Sequence, residues 1–296
     1  MELASSLPER RSTALGLACG TGAALCWAAG FVAARQGVDV GMSPLIIAAH
    51  RFLWPGLVLL PLAARDGFGD IRRLGLRRSL ILTLVGGLPL AILSYAGFLL
   101  VPLGDGGVIQ PSCASLGGLL LAAFVLHEPL PARRIAGAVA MVIGLVILGA
   151  EALRTMGAHG LIGDLMFAAA GCSFAVFGML LRRWRIAPLP AVTVTGILSL
   201  TGLPLLLAGV GNSANVGFAE NLLQAAVQGA FSGAGAIYLF TKAVVLLGAA
   251  RAAVFPALVP PFTILIGFLA LSVVPSISQL AGLAVVLVGF RLTQQG

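Results

Sequence analysis

The hydrophobic pattern is a succession of long apolar runs separated by short polar or basic connections. Ten segments approach the about 20 residues a helix needs to cross a bilayer core: roughly 14–34, 44–64, 79–100, 106–126, 133–150, 161–181, 189–208, 222–246, 251–271 and 276–293. Two connections are longer, the basic 65–78 and the Gly/Asn-rich 209–221, and none could hold a separate soluble domain. The pattern therefore predicts an all-α polytopic membrane protein with ten transmembrane helices.

Within that pattern one segment is written twice. Residues 105–137 and 250–282 match at an offset of 145 positions: Pro111 with Pro256, Leu126 with Leu271, Ala136-Gly137 with Ala281-Gly282, and Gly144 with Gly289. Five spans per half return the chain to the opposite side of the bilayer. A duplicated unit must then insert upside down relative to its twin, about a pseudo-twofold axis in the membrane plane. The expected units are 1–155 and 156–296, facing each other around a central cavity. Rocking about that cavity would give alternating access.

Composition sharpens this reading. The chain is 59% hydrophobic and 9% charged, against roughly 25% charged in a soluble domain, and its mean hydropathy is +1.06. Too little polar sequence remains to cover a water-soluble surface. The net charge of +8 and pI of about 10.6 do not point to nucleic acid, because the cations sit in short loops, where they set topology. Arg65, Arg72, Arg73, Arg77 and Arg78 follow span two, Arg133 and Arg134 follow span four, and Arg182, Arg183 and Arg185 follow span six. Arg10, Arg11 and Arg291 flank the termini, while the opposite loops hold little beyond Arg35 and Arg154. Both termini are therefore expected in the cytoplasm. Cys19, Cys26, Cys113 and Cys172 lie in apolar spans without CxxC spacing, and are expected to act as small buried hydrophobes. The run from Ala14 to Ala34 is longer than a signal-peptide core and is read as an uncleaved first helix.

Several motifs carry a family resemblance. Trp27-Ala28-x-x-Phe31, Arg51-Phe52-Leu53, and the run from Ala114-Ser115-Leu116 through His127-Glu128-Pro129-Leu130 to Gly137 resemble the EamA type of the drug/metabolite transporter superfamily. In the second half, Gly163-Asp164, Ala249-x-Arg251-Ala252-Ala253 and Gly282 repeat it. The likeness spans nearly the whole chain and implies ten helices in two repeats. Within the family the chain is most similar to bacterial exporters of amino acids, including aromatic ones. One departure is that Glu128 aligns with Val273, where the family's second repeat usually carries a glutamate. That loss argues for a helix-end role of Glu128 and against a symmetric proton relay.

Candidate binding residues follow from polarity inside the spans. Pro111 and Pro256 each remove a backbone donor and free carbonyls nearby, which a membrane tolerates only against protein or a wet cavity. They either line the pathway or form packed structural kinks. Gln110 beside Pro111 is polar where Phe255 is not, so an asymmetric cavity is expected. Tyr95 and Tyr238 are the only tyrosines, each in the third span of its half and away from the span ends, and both are expected to line the cavity. Lys242, the only lysine, is either an intramembrane functional group or a snorkelling one. His50 is able to hold a substrate carboxylate or carry a proton, whereas its neighbour Arg51 is read as structural, bonded to freed carbonyls. Trp27, Phe31, Phe98, Phe174 and Phe177 form either an aromatic cavity wall or ordinary core.

No GxSxG, HExxH or phosphate-cradling loop occurs, so neither catalysis nor a cofactor is indicated, and transport must draw on the substrate gradient or a coupled ion. None of Asp105, Glu128, Asp164 or Glu220 is expected deep in a span, and no paired intramembrane carboxylates are expected. That disfavours cationic drugs, and the scarcity of cavity cations disfavours nucleotide-sugars. A zwitterion needs only modest polarity of both signs. The expected function is export of amino acids or similar small zwitterionic metabolites across a bacterial inner membrane, with substrate and lipid as the partners. The sequence leaves the oligomeric state open.

Overall fold

The structure, a computed structural model, describes residues 2–125, 127, 131–204, 216–247 and 255–294. Among them there is no strand. The helices are α1 (Glu2–Asp39), α2 (Pro44–Arg65), α3 (Gly69–Leu74), α4 (Leu76–Gly86), α5 (Leu88–Gly97), α6 (Leu103–Val125), α7 (Ala132–Arg183) and α8 (Pro188–Ser199). Then come α9 (Phe218–Gln224), a π-helical stretch (Ala225–Gly235), α10 (Ala236–Leu247), a 3-10 turn (Phe255–Leu258), α11 (Val259–Leu271) and α12 (Ile277–Gln294). Leu126, Glu128 and the motif at 249–253, all used in the sequence reading, lie outside the described residues.

Among the described residues, six helices are long and apolar enough to cross a membrane: Ser12–Asp39, Pro44–Arg65, Leu76–Gly97, Leu103–Val125, Ala132–Arg183 and Phe218–Leu247. Leu189–Gly202, Phe255–Leu271 and Ile277–Thr293 are apolar but shorter. The protein is thus a multi-pass membrane protein. The largest departure from the expected segments is α7, whose 52 residues contain both 133–150 and 161–181. It is broken at Gly157, with φ 63 and ψ −147, a conformation only glycine adopts without strain. The two arms fold back on each other there, since a Cβ on Gly160 would stand 2.7 Å from the Ala152 carbonyl oxygen.

Helix starts follow local chemistry. Ser43 caps α2, its hydroxyl accepting from Ile46 N–H at 3.3 Å, and Pro44 follows at the first helical position, where a missing N–H costs nothing. At the head of α12, Ser276 Oγ accepts from Gln279 N–H at 3.0 Å and Gln279 Oε1 accepts from Ser276 N–H at 3.1 Å, a reciprocal cap.

Packing relies on small residues, as expected where lipid removes the hydrophobic drive between helices. The first arm of α7 crosses α12 antiparallel: Gly137 lies against Gly289 and Gly144 against Gly282. α2 crosses α8 at Gly56 and Gly196. α1 packs along α10 through Gly16 on Leu247 and Gly22 on Leu239, and the second arm of α7 packs on α4 and α5 through Phe177 on Gly86 and Phe167 on Gly97. Arg78 stacks over Trp184 with 5.3 Å to the ring centroid, so the basic segments after α2 and after α7 share one end of the molecule.

Candidate functional site

The polar centre is built where α2 meets the π-helical stretch. Gly229 and Gly233 bring that stretch onto the α2 backbone, since a Cβ on either would stand 3.0 Å from His50 O and 3.1 Å from Arg51 O respectively. π-helical turns are rare and frequent at functional sites. Arg51 thereby reaches across: one terminal N–H group, Nη1, donates to Ser232 Oγ at 2.7 Å and to Tyr95 Oη at 3.2 Å. Tyr95 in turn donates to Gln228 Oε1 at 2.8 Å, and Gln228 Nε2 donates to Gly30 O at 2.7 Å. One turn earlier, Gln224 Nε2 donates to Ala33 O at 2.5 Å and to Glu220 Oε1 at 2.8 Å, and Gln36 donates to Glu220 Oε2 at 2.9 Å. Tyr95 is 3% exposed and Gln224, Gln228 and Ser232 are 0% exposed.

Two features of this centre are unusual for a buried network. Arg51 has no carboxylate partner among the described residues; its contacts are neutral hydroxyls. Gln224 Oε1 is buried with no hydrogen-bond partner, an arrangement that costs about 1–3 kcal/mol. A guanidinium short of an anion and an amide oxygen short of a donor stand within two turns of the same polar stripe.

The expectation for Arg51 is therefore corrected. It bonds hydroxyls, that of Tyr95 in its own half and that of Ser232 in the other, not freed carbonyls. Carbonyl capping falls instead to Arg35, which donates to Phe98 O at 3.1 Å and Val101 O at 2.9 Å and pairs with Asp39 at 2.6 Å.

The remaining candidates separate. Tyr238 is 65% exposed, with the Lys242 ammonium 5.9 Å from its ring centroid. Both stand apart from the polar centre, and the expected cavity role of Tyr238 is not met in this conformation. At the 145-residue offset Tyr95 corresponds to Phe240, which packs on Trp27 with centroids 5.4 Å apart, so Tyr238 points from a different face. His50 Nε2 meets Asn221 Oδ1 at 3.3 Å and His50 Nδ1 accepts from Trp54 Nε1 at 2.9 Å. Gln110 bonds Ser94 through its Oε1. Pro111 lies inside α6, but Pro256 lies in the 3-10 turn before α11, so the two prolines act in different local structures.

Phe31 packs on Phe98, and Phe98 on Phe167 at 4.8 Å, edge to face. Phe177 stacks with Phe174 at 5.8 Å. Cys172 is exposed rather than buried. The expected central cavity is not open at Tyr95, because glycines bring the helices into contact; Gly30, for example, leaves no room for a Cβ beside Ser232. A cavity of about 10 Å³ lies elsewhere, beside Leu103, Gly104, Gly267 and Gln279, room for about one water.

The carboxylates are a second correction. Asp105 and Asp164 are 3% and 5% exposed, and Asp105 interacts electrostatically with both Glu151 and Asp164. Paired buried carboxylates are thus present. They were missed because the surroundings of Asp164 form only when α7 folds back at Gly157 and brings 149 and 164 together. The polar stripe Glu220, Gln224, Gln228 and Ser232 was also missed, although its four-residue spacing on one helix face was readable.

Comparison with known proteins places this geometry. Residues 14–150 and 161–294 each match the EamA-like transporter family. A solved structure titled "Crystal structure of protein" is similar at 19% identity with a TM-score of 0.60, covering 96% of each chain, a likeness of fold. No curated protein matches the chain.

Proposed function

The chain belongs to the EamA-like transporter family, and from that premise we propose that it exports amino acids or similar small zwitterionic metabolites across a bacterial inner membrane. It is a membrane transporter rather than an enzyme. The observation that carries the substrate class is Arg51, an intramembrane cation whose partners among the described residues are the hydroxyls of Tyr95 and Ser232. A substrate carboxylate would join those hydroxyls at the guanidinium with a charge-assisted bond, which is shorter and roughly twice as strong as a neutral one. Gln224 Oε1, buried and unpartnered, is an acceptor suited to the substrate ammonium.

The mechanism proposed is alternating access of two inverted five-helix halves. Four helix interfaces described above support this reading, because exchange of the halves maps each onto another or onto itself. Span one packs on span eight as span six packs on span three, span two on span seven, and span five antiparallel on span ten. The polar centre lies across this interface, with Arg51 and Tyr95 from one half and Gln228 and Ser232 from the other. The shared end of the basic segments, held by Arg78 and Trp184, supports cytoplasmic termini.

The test is uptake of a radiolabelled amino-acid panel into liposomes holding purified protein. Saturable movement of at least one amino acid is expected. Movement of a cationic dye with no amino acid moved would overturn the substrate class.

A further inference from the structure

We propose that Asp164, with Asp105 and Glu151 beside it, is a proton-binding site that couples proton entry to substrate export. The inference rests on the transport reading above but uses a different part of the molecule.

Asp164 sits on the second arm of α7, 5% exposed, and neither carboxylate oxygen has a hydrogen-bond partner. Across the fold-back, its Oδ2 lies 4.0 Å from where a Cβ on Gly149 would stand. Asp105, at the head of α6, is electrostatically in reach of Asp164 and of Glu151 on the first arm, and Glu151 Oε2 is also buried without a partner. No cation pairs with any of the three among the described residues. Arg35 on α1 has its guanidinium engaged by Asp39 and by the carbonyls of Phe98 and Val101. Arg154 is exposed, and α12 contributes only the neutral Gln279.

Two buried like charges within electrostatic reach, with a third carboxylate half-buried nearby, resist being ionised together. The arrangement also decides which one takes the proton. Asp105 accepts from Gln279 Nε2 at 2.8 Å and sits in the first turn of α6, where the helix terminus favours an anion. Asp164 has no donor at all. A buried ionised carboxylate without a partner is expensive enough that the group neutralises instead. The proton therefore adds to Asp164, converting its carboxylate to a neutral carboxylic acid. A metal ion is disfavoured as the ligand, because no group of three such side chains among the described residues is close enough to hold one.

The site is placed to communicate with Arg51. Phe167, one turn beyond Asp164, packs on Phe98 at 4.8 Å and fills the space over Gly106, beside Asp105. Phe98 lies one turn beyond Tyr95. Both rings are fully buried, so movement of Tyr95 on substrate binding presses directly on the helix that carries Asp164. The cluster lies at the end of the molecule opposite the Arg78–Trp184 contact, the outer side in the proposed orientation, where a proton would enter.

Two readouts test this. Infrared spectroscopy of purified protein at neutral pH should show the C=O stretch of a protonated carboxylic acid, lost in Asp164→Asn and Asp164→Ser. Absence of that band in the wild type, or its persistence in both variants, overturns the proposal. This arm needs no substrate, so it stands apart from the amino-acid reading. In proteoliposomes, substrate accumulation should follow an imposed pH gradient by up to about tenfold per pH unit for one proton exchanged. Asp164→Asn should lose that dependence while retaining substrate counterflow, and Asp164→Glu should restore it. Undiminished pH-driven accumulation in Asp164→Asn also overturns it.

Discussion

Gly144 and Gly282 meet backbone to backbone: a Cβ on Gly144 would stand 2.8 Å from the Gly282 carbonyl oxygen, and one on Gly282 3.1 Å from that of Gly144. The neighbouring contact, Gly137 on Gly289, is the same contact with the two repeats exchanged, since Gly137 corresponds to Gly282 and Gly144 to Gly289. Such self-complementarity supports the proposed twofold relation between the repeats. The crossing leaves little room for a side chain because carbonyl oxygens of the facing helix, together with Val286, Leu148 and Met141, already fill the space.

Gly144→Leu or Gly282→Leu should therefore destabilise the protein by about 1–3 kcal/mol or more. Gly118, with nothing within 4 Å of its would-be Cβ, is the control: Gly118→Ala should be neutral or gain up to ~1 kcal/mol in helix propensity. Thermal unfolding in detergent measures both. Equal unfolding temperatures for Gly144→Leu and wild type would remove this crossing as a stabilising contact.

Tyr95→Phe removes one hydroxyl from between Arg51 and Gln228 and leaves the ring. A neutral hydrogen bond contributes about 0.5–1.5 kcal/mol, so half-saturation should rise roughly three- to tenfold. Tyr238→Ala should leave half-saturation unchanged, because Tyr238 faces outward beside Lys242. The measurement is the concentration dependence of transport, normalised to folded protein. An unchanged value in Tyr95→Phe would remove that hydroxyl from the site.

These contrasts mark what was legible in the chain. The helical class and membrane location follow from apolar run lengths, and the repeat follows from the fixed offset of Pro111, Gly137 and Gly144. Tyr95 stood out because tyrosine is scarce here, but scarcity says nothing about helix face, so Tyr238 stood out equally. The partners of Arg51 could not be read, since Ser232 lies 181 residues away and meets it only through the glycines of the π-helical stretch. Asp164 looked like a span-end carboxylate because hydropathy reports depth along one helix, while its burial accompanies the packing of Leu100 and Val101 on Gly163 and the α7 fold-back beside Gly149. The stripe from Glu220 to Ser232 was readable and was overlooked, its polar positions being diluted by alanine and glycine.

Orientation gives a third expectation. In a cysteine-free background, Asp70→Cys and Arg183→Cys should be shielded from an impermeant thiol reagent applied to intact cells, while Gly217→Cys should react. The three positions flank the basic segments and the opposite end of the helices respectively. Reversed labelling would overturn the cytoplasmic placement of the termini and, with it, the direction assigned to proton entry.

The central claim is that Arg51 receives a substrate carboxylate, and competition between an amino acid and its carboxamide tests it most directly. A hydrogen bond to a charged group contributes about 1.5–3 kcal/mol, so wild-type transport should prefer the amino acid by roughly ten- to a hundredfold. Arg51→Gln should weaken transport of the amino acid and abolish that preference, with Arg51→Lys retaining part of it. Equal competition by acid and amide in the wild type, or an undiminished preference in Arg51→Gln, would contradict the account.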